Sequence, residues 1–161
     1  MDTFCTTVLF GLSTLISSFQ IYNIDKRIQE DHLQHLELFS EYAHVANRHP
    51  FQHINFLVRD WQNFSDIDDV FQSKIDGNMY LDKIMNIEGK SKSLCDTRNH
   101  IRNCFETMSC TLLPHPGYKV AEGKYDGNLD DIRKEFLSHT DTYTDFILNT
   151  METKKILDKD M

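Results

Sequence analysis

The stretch Asn55-Phe56-Leu57-Val58-Arg59-Asp60-Trp61 decides how this chain is read. It opens as a short apolar run, the pattern of a strand buried on both faces. It then breaks into an arginine, a carboxylate and an indole. In an open α/β sheet, ligands bind beyond the carboxyl ends of the strands, so polar side chains just past a buried strand are where recognition chemistry is expected. A carboxylate there accepts two hydrogen bonds side by side. The guanine edge carrying N1–H and the 2-amino group offers two donors at matching spacing, whereas adenine puts an acceptor at N1. Taken without its neighbours, Arg-Asp after a strand is more often a surface ion pair.

Outward from that strand, the apolar period alternates between helix and strand. Residues 3–18 carry Val8, Leu9, Leu12, Leu15 and Ile16 at helical spacing, with Thr and Ser weakening the helix. Phe19 to Ile24 switches to period two, a strand. Residues 29–48 return to helical spacing through Leu33, Leu36, Leu38, Phe39, Tyr42 and Val45, and His49-Pro50 ends that helix. Past the strand at 54–59, residues 62–77 are polar and read as irregular. Helices are predicted over 78–87 and 91–108, the second with Cys95, Ile101, Cys104 and Phe105 on one side. Ser109 to Leu113 is a strand closed by Pro114 and Pro116, 117–128 is loop, and 129–151 is a final helix. Such alternation implies a parallel sheet flanked by helices. Only three strands are visible, few for a doubly wound sheet, which points to part of a domain.

Three stretches carry a resemblance. The run Phe56-Leu57-Val58-Arg59-Asp60-Trp61 resembles the guanine-specificity motif of the atlastin branch of the dynamin-like GTPases, relatives of the guanylate-binding proteins. Cys110 to Ala121, followed by Tyr125-Asp126-Gly127, resembles the strand and guanine-capping loop of the same family. Upstream, Leu12 to Asn23 and Gln29 to Tyr42 match as well, in the right order. The resemblance implies an α/β, partial three-layer GTPase fold of the P-loop type, lacking the N-terminal phosphate-loop half. It implies a G-domain part over 1–137 and a helical tail over 138–161. It assigns Asp60 to guanine N1–H and the 2-amino group, Arg59 to the flank of the base, and Val120 to the loop covering base and ribose. It further implies GTP or GDP as ligand and Mg2+ in the complete protein, with its ligands absent here. Homodimerisation through the nucleotide face and homotypic membrane fusion at the cytosolic side of the endoplasmic reticulum complete the family picture. The sequence departs from the family at Phe64, where a proline is usual, and at Asp76-Gly77, where paired glycines are usual. Gly123 falls near another base-side position of the covering loop.

Composition sets the remaining bounds. The chain has 161 residues, 40% hydrophobic, enough for one ordinary core. A net charge of −8 argues against a nucleic-acid surface. Cys5, Cys95, Cys104 and Cys110 lack paired spacing and read as reduced thiols. Val8 to Ile24 is apolar but lacks a basic leader and is interrupted by Ser and Thr, so it reads as core helix and strand. No transmembrane segment is expected. The sequence contains no G-x-x-x-x-G-K-[ST] phosphate loop, and Gly89-Lys90-Ser91 reads as a turn between helices. The Asp66, Asp68, Asp69 cluster does not complete a calcium loop. His32, His35, His44 and His49 lack a convergent third metal ligand and read as helix histidines. The isolated chain is therefore expected not to hydrolyse GTP. The alternative reading is a non-catalytic module that acts only in protein interaction.

Overall fold

The computed structural model describes residues 3–46, 51–62, 70–122 and 125–153. Along the chain run α1 (Thr3–Ile16), β1 (Phe19–Asp25), α2 (Glu30–Ala46), β2 (Phe51–Trp61), α3 (Val70–Met85), α4 (Lys92–Cys104), β3 (Phe105–Pro114), the short α5 (Tyr118–Ala121), a 3-10 turn (Leu129–Asp131) and α6 (Lys134–Thr150). The strands form one parallel sheet in the order β1-β2-β3. The α/β class, with a three-stranded parallel open sheet between helices, is the expected one. Asp66, Asp68, Asp69, Phe64, His49, Pro50 and Gly123 lie outside the described residues.

The register explains the layering. Ile24, Val58 and Leu112 lie side by side, as do Tyr22, Phe56 and Cys110. These rows form the core with Leu33 and Leu36 of α2, Leu81 and Met85 of α3, and Ile101 and Cys104 of α4. The alternate rows, Phe19-His53-Thr107 and Ile21-Asn55-Ser109, face the other way and are far more polar. There α6 packs, its Tyr143 hydroxyl donating to Asn55 Oδ1 at 3.0 Å. Asn55 is fully buried, which a polar side chain tolerates only when its hydrogen bonds are met. The expected boundary at 137/138 falls inside α6.

Four expectations differ from the structure. On α1, Val8, Leu9, Leu12 and Ile16 are 42%, 61%, 54% and 78% exposed. The buried side carries Gly11 and Thr14 instead, with Phe10 and Leu15 partly buried against the core. Apolar residues occur nearly all round this helix, so hydrophobicity alone does not select a face. Secondly, the segment read as irregular up to Gly77 is helical from Val70 onward. Gly77 is mid-helix because a Cβ there would lie 2.4 Å from the Cys110 carbonyl oxygen, and close approach to β3 outweighs propensity. Thirdly, the helix read to 108 stops at Cys104, and Phe105 is extended with φ −126 and ψ 136. Ile101, Cys104, Phe105 and Met108 continue helical spacing into the strand, so periodicity runs across the boundary. Pairing of Phe105 with Phe51, rings 5.5 Å apart, sets the change. Lastly, the final helix begins at Lys134, after the 3-10 turn.

Candidate nucleotide-base site

Arg59 and Asp60 sit where the β2–β3 ladder breaks. Val58 pairs with Leu112 and Trp61 with Pro114, so β2 holds one residue more than β3 across this interval. That is a bulge, a device that bends a strand and re-aims a side chain at a site. Asp60 takes the extra turn with φ 54, in the left-handed region. This backbone costs an ordinary L-residue roughly 1–2 kcal/mol, less for Asp, whose short polar side chain tolerates it. Such strain clusters at functional sites.

The end of β1 is tied to the same place. Lys26 is also left-handed, at φ 61, and its N–H donates to the Arg59 carbonyl at 2.8 Å. Arg59 is exposed, and its Nε donates to Asn23 Oδ1 at 2.6 Å. Its guanidinium therefore lies back along β1. Trp61 packs on Tyr80, ring centroids 4.8 Å apart, and the Tyr80 hydroxyl accepts from Ile28 N–H at 2.9 Å. The indole is thus part of the wall that holds β2 against α3.

Opposite stands the loop that follows β3. His115 Nδ1 accepts from Gly117 N–H at 2.9 Å, and Gly117 has φ 120. Arg133 N–H donates to the Pro116 carbonyl at 2.9 Å, and Lys119 Nζ meets Asp131 Oδ1 at 2.7 Å. That carboxylate raises the pKa of the exposed Lys119 ammonium by hydrogen bonding. Asp126 Oδ1 accepts from Asn128 N–H and Asn128 Oδ1 from Asp130 N–H, closing the turn around Gly127, φ 96. These bonds pin both ends of the loop. They present α5 with Val120 half-buried and Tyr118 84% exposed. Arg59, Asp60 and Val120 thus all lie at the carboxyl end of the sheet, on two segments joined through the Trp61–Pro114 pairing.

Sequence reasoning missed Asn23, Lys26, Tyr80, Asp131 and Arg133. Only Asn23 left a signal, as a polar residue at the carboxyl end of a predicted strand. The other motifs are structural. Gly89, φ 69, turns the chain from α3 to α4, with Lys90 N–H bonded to the Ile87 carbonyl. His32 Nδ1 accepts from Gln29 N–H at the start of α2, and His35 stacks near Phe39. Among the described residues no three His, Cys, Asp or Glu side chains converge on a metal site, and no helix is long and apolar enough to cross a membrane. The four cysteines are free, Cys104 and Cys110 buried, with burial pushing the Cys110 thiol up to about 12.

Comparison with known proteins identifies the family. The family model described as guanylate-binding protein, N-terminal domain, matches residues 2–156. The chain belongs to the guanylate-binding protein N-terminal domain family. Within it, the chain is similar to atlastins. Atlastin-3 of Mus musculus is 39% identical over 98% of the chain, and Atlastin-1 of Bos taurus 40% identical over 94%. The Atlastin of Drosophila melanogaster is 44% identical over 83%. The chain spans 29%, 28% and 25% of these relatives' lengths, respectively. The matched range contains all three strands and the loop after β3.

Proposed function

We propose that this chain forms the base-recognition end of the GTPase domain of an atlastin-like protein. Asp60 accepts from guanine N1–H and the 2-amino group, Arg59 flanks the base, and Val120 on the pinned loop covers it. The observation that carries the reading is the bulge. It sets the backbone of Asp60 at φ 54 just past a buried parallel strand, where a carboxylate is directed out of the ladder toward the carboxyl end of the sheet. Paired acceptors fixed in this way reject a base that leaves them unpaired.

In the complete protein, by family resemblance, GTP binding brings two copies together through the nucleotide face. The work done is homotypic fusion of endoplasmic-reticulum membranes from the cytosolic side. The ligand is GTP or GDP. Magnesium serves such proteins by neutralising phosphate charge, and no residue described here is assigned to it. The second reading is a non-catalytic module acting only in protein interaction. These 161 residues contain no G-x-x-x-x-G-K-[ST] motif, so by themselves they offer base recognition and an interaction surface without a phosphate loop.

The test uses a protein that carries these residues together with a phosphate loop, original or Asp60→Asn, and measures affinity for GTP, xanthosine triphosphate and ATP. The amide of Asn can accept from N1–H and donate to the 2-oxo group of xanthine. The original prefers GTP. The variant loses GTP affinity on the order of 100-fold, from the loss of one charge-assisted bond, and gains for xanthosine triphosphate. Unchanged affinities would return Arg59-Asp60 to a surface pair. GTP turnover by the 161-residue chain alone, abolished in Asp60→Ala, would sink the non-catalytic reading.

A further inference from the structure

We propose that the space between α6 and the outer side of β3 is a binding site for a small, mostly apolar molecule bearing one hydroxyl, with phenol as its simplest probe. A cavity of about 160 Å³ lies there, its walls including Leu113, Phe146 and Tyr143 as well as Ser109 and Thr111. An apolar protein cavity of about 150 Å³ stays dry and admits a benzene ring. The space therefore suits a single ring or a short branched chain. Asn78 and Thr142, both exposed, stand at its rim.

The polarity of the guest follows from hydrogen-bond accounting. Asn55 Nδ2 spends its two protons on Ser109 Oγ at 2.7 Å and Thr111 Oγ1 at 3.1 Å, and Asn55 Oδ1 receives the Tyr143 hydroxyl proton. His53 Nε2 lies 2.9 Å from Ser109 Oγ, and its Nδ1 lies 2.7 Å from Thr107 Oγ1. This occupies Asn55, Ser109 and His53. Within this network two capacities remain: the Thr111 hydroxyl proton and the lone pairs of the Tyr143 oxygen. A guest hydroxyl uses both, accepting from Thr111 and donating to Tyr143. A guest ammonium or carboxylate would leave water for a largely apolar chamber with no Lys, Arg, Asp or Glu in its wall, which is costly.

The test titrates the 161-residue chain with phenol, benzene and glycerol by saturation-transfer NMR, alongside two variants. Phenol should bind about tenfold more tightly than benzene, as one or two net hydrogen bonds allow, and glycerol should not compete. Thr142→Phe, a substitution at an exposed position, plugs the mouth and should weaken both aromatics about tenfold or more. Thr111→Val removes one of the two bonds and should narrow the phenol-to-benzene ratio from about tenfold to about threefold; that ratio is read within one variant, so any loss of stability cancels. Equal binding of phenol and benzene to the original chain would overturn the hydroxyl assignment. Binding undiminished in Thr142→Phe, with its helical circular dichroism retained, would overturn the site.

Discussion

The backbone N–H of Lys26 donates to the carbonyl of Arg59 at 2.8 Å, and left-handed residues sit at both sides of that bond, Lys26 itself at φ 61 and Asp60 at φ 54. The ends of β1 and β2 are thereby turned and tied together at the carboxyl edge of the sheet. The backbone that carries Asp60 therefore has little freedom to lose when a ligand binds, which favours preorganised recognition.

The tie makes the backbone at position 60 testable apart from the carboxylate. Glycine relieves the left-handed strain but loosens the unfolded chain, effects of about 1 kcal/mol each and opposite sign. Asp60→Gly and Asp60→Asn should therefore melt within about 0.5 kcal/mol of the original. Asp60→Val, β-branched and intolerant of positive φ, should cost about 1–2 kcal/mol. Urea unfolding of the series checks this, and equal stability of Val and Gly would show that the turn relaxes.

Gly77 gives a sharper backbone test. A methyl group there meets the Cys110 carbonyl oxygen at 2.4 Å, main chain that cannot swing aside. Moreover, the neighbouring Asn78 Oδ1 accepts the Cys110 N–H at 3.2 Å, so the side of α3 that meets β3 also satisfies a strand donor. Gly77→Ala should cost about 1–3 kcal/mol by overpacking despite the better helix propensity of Ala. At Gly89, where added Cβ meets nothing but φ is 69, Ala should cost about 1 kcal/mol from strain alone. Gly77→Ala as mild as Gly89→Ala would mean that α3 stands further from β3.

These two glycines also show what was legible in the sequence. The central strand and its polar break could be read because a buried parallel strand is almost wholly apolar, and the change at Arg59 is abrupt. The bulge could not be read. Nothing in Val58-Arg59-Asp60-Trp61 marks a positive φ; it arises because Trp61 must meet Pro114 one residue out of step. The first half of α3 was hidden by polar composition and by Gly77, whose reason lies on β3, far along the chain. The buried face of α1 was hidden for the opposite reason, an excess of apolar side chains. The loop after β3 showed its Pro and Gly punctuation, but not that Arg133 and Asp131 would pin it.

Arg98 joins three helices. Its side chain is buried, with Nε donating to the Ile84 carbonyl at 2.7 Å, Nη1 to the Leu94 carbonyl, and both terminal nitrogens to Glu30. Arg98→Ala removes these bonds and should cost about 1–3 kcal/mol. The hydrogen bond from Arg98 lowers the Glu30 pKa. A carboxyl with a lowered folded pKa stabilises the fold above its unfolded value, and that contribution is lost as pH falls through the folded one. Because Glu30 is 45% exposed, the effect is modest. Urea midpoints should fall as pH drops below about 4.3, less steeply in Glu30→Gln. Parallel acid limbs in both proteins would count against the linkage.

Among the described residues β1 pairs only with β2, leaving one strand edge unpaired, and Ile21 on it is 40% exposed. Unpaired edges with apolar side chains promote association, and lysine suppresses it. Ile21→Lys should raise the monomeric fraction of the isolated chain in size-exclusion chromatography with little change in circular dichroism. An unchanged or larger aggregate would place the sticky surface elsewhere, with the exposed Leu9, Leu12 and Ile16 of α1 as the next to test.

The last prediction concerns what α6 does for the sheet. Tyr143 reaches across from α6 to Asn55, whose amide in turn holds Ser109 and Thr111, so one hydroxyl on the helix completes a buried network spanning β2 and β3. Burial raises the Tyr143 pKa, so the hydroxyl keeps its proton and remains a donor at neutral pH. Tyr143→Phe preserves the ring against Phe146 but leaves Asn55 Oδ1 without its donor, at a cost of about 1–3 kcal/mol. Ending the chain at residue 137 removes the ring, the donor and the cover of the polar sheet face together, and should cost several kcal/mol more. The double variant Asn55→Leu, Tyr143→Phe also takes the amide donor from Ser109 Oγ and Thr111 Oγ1, and should be less stable than Tyr143→Phe alone. Chemical unfolding of the three proteins decides between two roles for α6. If truncation at 137 and Tyr143→Phe both leave the midpoint unchanged, α6 is an appendage to the sheet; if the ranking holds, it is the second layer of the domain.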